Sequence, residues 1–101
     1  MHLVVDGYSV DPKKLEDEDL ISKFLDEYPD RIGMTKIMPP QVYTYHGKMP
    51  EDWGVSGFVL IAESHISVHT FPERGYINID IFSCKEFDAK ASLRDVKEVF
   101  A

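Results

Sequence analysis

The sequence predicts a two-layer α/β sandwich, an antiparallel sheet with two helices on one face. Three observations carry this. Five short stretches are apolar or alternate apolar with polar, as strands do, and two others place apolar residues at helical spacing. The last four strand-like stretches follow one another across turns too short for a parallel crossover, so they join antiparallel neighbours. The predicted order is β, α, β, β, β, β, α.

The elements follow in chain order. Residues 2–8 are short and β-branched, suiting a first strand, and Asp11-Pro12 marks a turn. From about Asp17, Leu20, Ile21, Phe24, Leu25 and Tyr28 fall on one helical face, with acids in the first turn where they oppose the helix dipole. Tyr28-Pro29 is expected to end that helix, because the residue before proline is pushed out of the α region. A connector over 30–40 leads to a strand at Gln41–His46, then a loop from Gly47 to Gly54. Val55 to Ala62 is nearly continuous in apolar residues and reads as a strand buried on both faces. His65 to Thr70 alternates Ile66 and Val68 with His65, Ser67 and His69; beyond the Pro72–Gly75 turn, Tyr76 to Cys84 alternates around Ile77, Ile79 and Ile81. Asp88 is placed to cap a last helix carrying Leu93, Val96, Val99 and Phe100.

At 101 residues the chain is sized for one domain, and 44% hydrophobic with 29% charged residues is the composition of a folded protein. Eleven Lys and Arg against 18 Asp and Glu leave a formal charge of −7, which argues against nucleic acid or an anionic membrane as partner. The longest apolar run, Phe58 to Ala62, is too short to span a bilayer, and the first residues lack the basic start of a signal peptide. The single cysteine, Cys84, excludes an internal disulfide and fits a reducing cytoplasm.

Chemistry-bearing residues concentrate between Val55 and Cys84: Ser56, Glu63, Ser64, His65, Ser67, His69, Glu73 and Cys84. A zinc site from His65, His69 and Cys84 is disfavoured, because His-x3-His is a helical ligand spacing and in a strand its Cβ atoms lie roughly 13 Å apart. No metal is therefore expected. Gly54-Val55-Ser56-Gly57 is one residue short of a nucleophile elbow and leads into a strand, not a helix. Taken singly, each residue has a plain reading: Ser56 a turn hydroxyl, Glu63-Ser64 a bend, His69 a half-exposed strand histidine, Glu73 a turn charge, Cys84 a buried sulfur.

Together they read differently. Gly54-Val55-Ser56-Gly57, Glu63-Ser64-His65-Ile66-Ser67-Val68-His69-Thr70-Phe71-Pro72-Glu73 and Asp80-Ile81-Phe82-Ser83-Cys84 resemble the prokaryotic S-adenosylmethionine decarboxylase proenzymes, with looser likeness at His2-Leu3 and Asp6-x-Tyr8. The resemblance implies one domain that cuts itself at Glu63-Ser64 into a β chain (1–63) and an α chain (64–101). Ser64 attacks the Glu63 carbonyl, and β-elimination then leaves a pyruvoyl group in place of Ser64. The same resemblance gives Ser56 the processing intermediate, His69 the α-proton, Cys84 the return of a proton during decarboxylation, and Glu73 the ribose hydroxyls. A decarboxylation needs an electron sink that no side chain supplies, and a pyruvoyl ketone forming a Schiff base with the substrate amine is such a sink. The implied product is the aminopropyl donor of spermidine and polyamine synthesis. A basic amino acid such as arginine or ornithine is the alternative substrate, and an unprocessed, non-catalytic relative the alternative class.

Ser64 and His69, five residues apart, fall on opposite faces of a regular strand roughly 16 Å from each other. Either the chain bends after Ser64 or His69 comes from a second copy. The family places its sites between protomers. A homodimer is expected, with Ser64 and Cys84 of one protomer meeting Ser56, His69 and Glu73 of the other. Family members usually carry Trp where Phe71 stands and Gly where Lys85 stands, and an aromatic residue shortly before the Gly-Val-Ser-Gly stretch; here Trp53 and Tyr45 are the candidates to stack on adenine.

Overall fold

The computed structural model describes all 101 residues. Five strands, β1 (His2–Gly7), β2 (Gln41–His46), β3 (Trp53–Ile61), β4 (Ser64–Phe71) and β5 (Tyr76–Ser83), form one antiparallel sheet in the order β1-β5-β4-β3-β2. Three helices, α1 (Pro12–Leu15), α2 (Glu18–Arg31) and α3 (Ala89–Phe100), cover one face. The predicted two-layer α/β sandwich is the observed architecture, with one short helix more than expected.

Period-two alternation builds the core. Ile77, Ile79 and Ile81 of β5, Ile66 and Val68 of β4, and Val55, Val59 and Ile61 of β3 are buried beneath Ile21, Phe24, Leu25 and Tyr28 of α2 and Val96 and Phe100 of α3. The two long helices meet through Phe24 and Phe100, edge to face at 5.5 Å, and through the Tyr28 hydroxyl, which donates to Asp95 at 2.9 Å. Burial is the main force pushing the Tyr28 phenol up to about 12. Asp17 and Asp88 cap α2 and α3 by accepting from the N–H groups of Leu20 and Ala91.

Three local expectations are corrected. Asp11-Pro12 opens the helical turn α1: Asp11 accepts from the Lys13 N–H, Pro12 takes the first position where no N–H is needed, and Leu15 is driven into the core. Helix α2 does not stop at Tyr28-Pro29 but runs to Arg31. Proline biases its predecessor but does not forbid a last turn, and Tyr28 and Pro29 gain burial by staying helical. The stop is Gly33, at φ +73°, which lets the Met34 N–H reach back to the Pro29 carbonyl at 2.8 Å. Finally, β3 is buried on one face only. Phe58 and Leu60 are 39% and 40% exposed, because all the helices lie on the opposite face.

Two devices fix the ends of the β3–β4 hairpin. At one end the buried Thr70 hydroxyl donates to the Leu15 carbonyl at 2.7 Å and accepts from the Val55 N–H at 2.9 Å, tying α1 to the sheet. There the strands approach so closely that a Cβ on Gly54 would stand 1.8 Å from the Thr70 carbonyl oxygen, which only glycine permits. At the other end, Ala62-Glu63 forms a two-residue turn between the paired residues Ile61 and Ser64.

Candidate active site

The hairpin turn carries the Glu63-Ser64 peptide, and the surrounding backbone holds it from several sides. The Glu63 carbonyl accepts from the Cys84 N–H at 3.0 Å. Its carboxylate accepts from the Thr35 N–H at 3.1 Å, while the Ala62 N–H donates to the Thr35 carbonyl at 2.8 Å. Ser64 pairs with Ser83 across β4–β5, so the chain emerging from β5 delivers Cys84 to the turn. The Cys84 side chain is exposed and free. The Ser64 hydroxyl stands 3.2 Å from Nδ1 of His65, and Ser64 has φ +158°, at the outer edge of extended backbone.

At the far end of β4, Ser56 and His69 are register partners on β3 and β4, with Ser56 Oγ and His69 Nδ1 2.9 Å apart. The two residues thus meet within one chain. Asn78 stands opposite His69 on β5 and donates to Asp6 at 2.9 Å, and Tyr76 donates to the same Asp6 oxygen. Those two bonds, Tyr76 first, hold the Asp6 carboxyl below the usual carboxylate range, and the Tyr76 phenol is raised in return.

Beside Ser56 a shallow pocket opens, lined by Tyr45, Asp52, Trp53, Gly54, Thr70 and Phe71. Of the two aromatic candidates, Trp53 is already engaged. Its indole stacks on His46 at 5.9 Å and donates from Nε1 to Glu73 at 3.1 Å. Tyr45 is exposed and lies opposite Gly54. Phe71 stacks on Tyr76 at 5.4 Å and lies under the Arg74 guanidinium, itself paired with Asp52 at 3.2 Å.

The site residues therefore form two groups at opposite ends of one hairpin. Glu63, Ser64 and Cys84 come together at the turn; Ser56, His69 and Glu73 gather at the other end. Strand β4 runs unbroken from Ser64 to Phe71, so no sharp bend brings Ser64 to His69. The sequence singled out His65 only as a metal candidate and did not associate it with Ser64. It missed Thr35, which holds the turn from outside the motif. Alternation did place His65 on the open face with Ser67 and His69, but its partners on β1 and β5 depend on strand order, which no local pattern reveals.

A family model described as "S-adenosylmethionine decarboxylase" matches residues 1–101. The chain is similar to the S-adenosylmethionine decarboxylase proenzyme of Archaeoglobus fulgidus, 39% identical over 83 residues, covering 82% of this chain and 69% of that one. It is likewise similar to the proenzyme of Parasynechococcus marenigrum, 38% identical over 98 residues, covering 93% of this chain and 72% of the relative. In three dimensions it resembles the crystal structure of the adenosylmethionine decarboxylase from Aquifex aeolicus, with a TM-score of 0.72, 31% identity, and coverage of 97% of this chain and 74% of that one. This chain belongs to the S-adenosylmethionine decarboxylase family.

Proposed function

We propose that the chain is a decarboxylase of S-adenosylmethionine that prepares its own catalytic group by cutting between Glu63 and Ser64. The observation that carries the self-cleavage is the grip on that peptide: its carbonyl oxygen receives the Cys84 N–H at 3.0 Å, where negative charge develops when a hydroxyl adds to the carbon. The Ser64 hydroxyl is the adjacent nucleophile. Addition forms a five-membered ring, transfer of the acyl group from nitrogen to oxygen gives an ester, and elimination across Ser64 frees Glu63 as a carboxyl terminus. The products are chains 1–63 and 64–101.

The resulting pyruvoyl group supplies the electron sink that decarboxylation demands. Its surroundings fit it: Ser64 begins a strand at the edge of the turn, with the exposed Cys84 thiol following β5 beside it. In this reading Cys84 returns a proton to the substrate carbon, Ser56 supports the processing intermediate, and His69 removes the Ser64 α-hydrogen.

His69 cannot reach Ser64 along a straight β4, so the working unit is a homodimer in which Ser64 and Cys84 of one protomer meet Ser56, His69 and Glu73 of its partner. The open sheet face supports this, since it presents Val4, Phe58, Leu60 and Phe82, each 39–49% exposed, where no helix covers them. The nucleoside is assigned to the pocket beside Ser56, with its base between Tyr45 and Phe71 and its ribose hydroxyls at Glu73. Trp53 then serves to aim Glu73 rather than to stack. Arginine or ornithine as substrate finds no support in the relatives, whose names specify S-adenosylmethionine.

Intact mass under denaturing conditions tests the proposal. Two chains split after Glu63 are expected, the second lighter by one ammonia than 64–101 beginning with serine. A single uncut chain of 11.6 kDa would count against it and in favour of a non-catalytic relative.

A further inference from the structure

We infer that His65, oriented by Asp80, is the base that activates the Ser64 hydroxyl for the first step of self-cleavage. The inference rests on the self-processing reading above, and assigns that step to a residue other than His69.

The geometry is a serine, an imidazole and a carboxylate in line. Ser64 Oγ lies 3.2 Å from His65 Nδ1, and His65 Nε2 lies 3.8 Å from Asp80 Oδ1. The imidazole is held between strands. His65 faces Phe82 of β5 and Leu60 of β3 in register, and its ring stacks on Phe82 at 5.7 Å, 15° from parallel. Asp80 is fixed in turn by His2 of β1, whose Nε2 is 2.8 Å from the same carboxylate oxygen. The charged and titratable groups facing His65 are thus Asp80 and, beyond it, His2.

The role of base requires one tautomer. With Nδ1 free to accept from Ser64, the proton resides on Nε2, on the side of Asp80. As Oγ bonds to the Glu63 carbonyl carbon, the hydroxyl proton passes to Nδ1, and the carbonyl electron pair moves onto the oxygen held by the Cys84 N–H. The imidazolium so formed faces the Asp80 carboxylate, whose charge stabilises it. Collapse of the ring breaks the bond to the Ser64 nitrogen, which takes up the proton from Nδ1 and leaves as a free amine. The step is an isomerisation: amide becomes ester, and no co-reactant enters. Asp80 acts only through His65 and is a positioning residue.

The test follows cleavage of freshly made precursor by intact mass across pH 5 to 9, with and without hydroxylamine, which cuts esters but not amides. In the wild type the rate is expected to fall in acid, where a protonated imidazole can no longer accept the hydroxyl proton. His65→Ala and His65→Gln should each slow cleavage about 100-fold, the usual worth of a general base. They should leave an uncut chain that hydroxylamine does not cleave. Gln retains a hydrogen-bond acceptor toward Ser64 but cannot take its proton, so cleavage at the wild-type rate in that variant would overturn the assignment. Hydroxylamine-sensitive chain building up in His65→Ala would also overturn it, because the ester would then form without His65. Asp80→Asn should move the acid limb to lower pH, since the neutral amide no longer favours the imidazolium; an unmoved limb removes Asp80 from the scheme. Wild-type precursor that never cuts at Glu63-Ser64 would instead sink the self-processing reading itself.

Discussion

At the residue scale the decisive feature is that one short segment is placed to serve both proposed chemistries. The Cys84 main chain donates to the Glu63 carbonyl, while its thiol is free. Backbone and side chain can therefore be separated by mutation. Cys84→Ala keeps the N–H and is expected to process within a few-fold of wild type yet decarboxylate at least about 100-fold more slowly, as loss of a general acid predicts; single-turnover assays on the cut protein measure this, and an unchanged rate would remove the acid role. Ser64→Ala should remain one chain indefinitely, and a variant that still yields two fragments would refute the site of attack. The motif made these residues legible, because hydroxyls, imidazoles and a thiol stand where folding does not require them. Their grouping was not legible. Whether Ser56 meets His69 and Asp80 approaches His65 depends on strand register and on β5 lying beside β4, and a pattern of twos specifies face without specifying neighbour.

At the element scale, alternation and helical spacing located the five strands and the two long helices because each carries a full buried face. The misses lie where a local rule met a stronger tertiary term. Pro29 biases the chain toward a stop, but burial of Tyr28 and Pro29 against the core carries α2 one turn further, to a glycine that can adopt the left-handed turn. Gly33→Ala is expected to cost about 1 kcal/mol by chemical denaturation, since alanine must adopt φ +73° there. The α2–α3 joint has a pH signature as well. The Tyr28 phenol is raised from 10.0 to about 12, so its neutral form contributes stability in full below pH ~10, and that contribution is lost as pH climbs through about 12. Alkaline unfolding should begin above pH ~10 in the wild type, and Tyr28→Phe should flatten this dependence while lowering stability near neutrality through the lost bond to Asp95.

For the whole molecule, the sheet is finished on one side only. Composition identified the apolar content of β3 but not its division between a helix-covered face and an open one, since Phe58 and Leu60 look like core residues in a linear sequence. Replacing both with aspartate should leave the fold intact by circular dichroism and convert the protein to a monomer by light scattering. Processing and decarboxylation should then fall together, because each proposed site draws on two copies. A fully active monomer would show that one chain suffices.

The strand order β1-β5-β4-β3-β2 also bears on what the proposed cut would do to the molecule. A break at Glu63-Ser64 assigns β1, β2 and β3 to one fragment and β4 and β5 to the other, so the smaller piece is clasped between strands of the larger on both flanks. Nothing covalent then holds the fragments together, yet neither can leave without opening two seams of the sheet. On the proposed cleavage, the precursor would act as its own folding template, with the loop closure made while the chain is whole and the link discarded afterwards. Ageing follows from this: a cut enzyme once unfolded must find its other fragment by diffusion, so the native state persists because it is slow to open, not because it readily reforms.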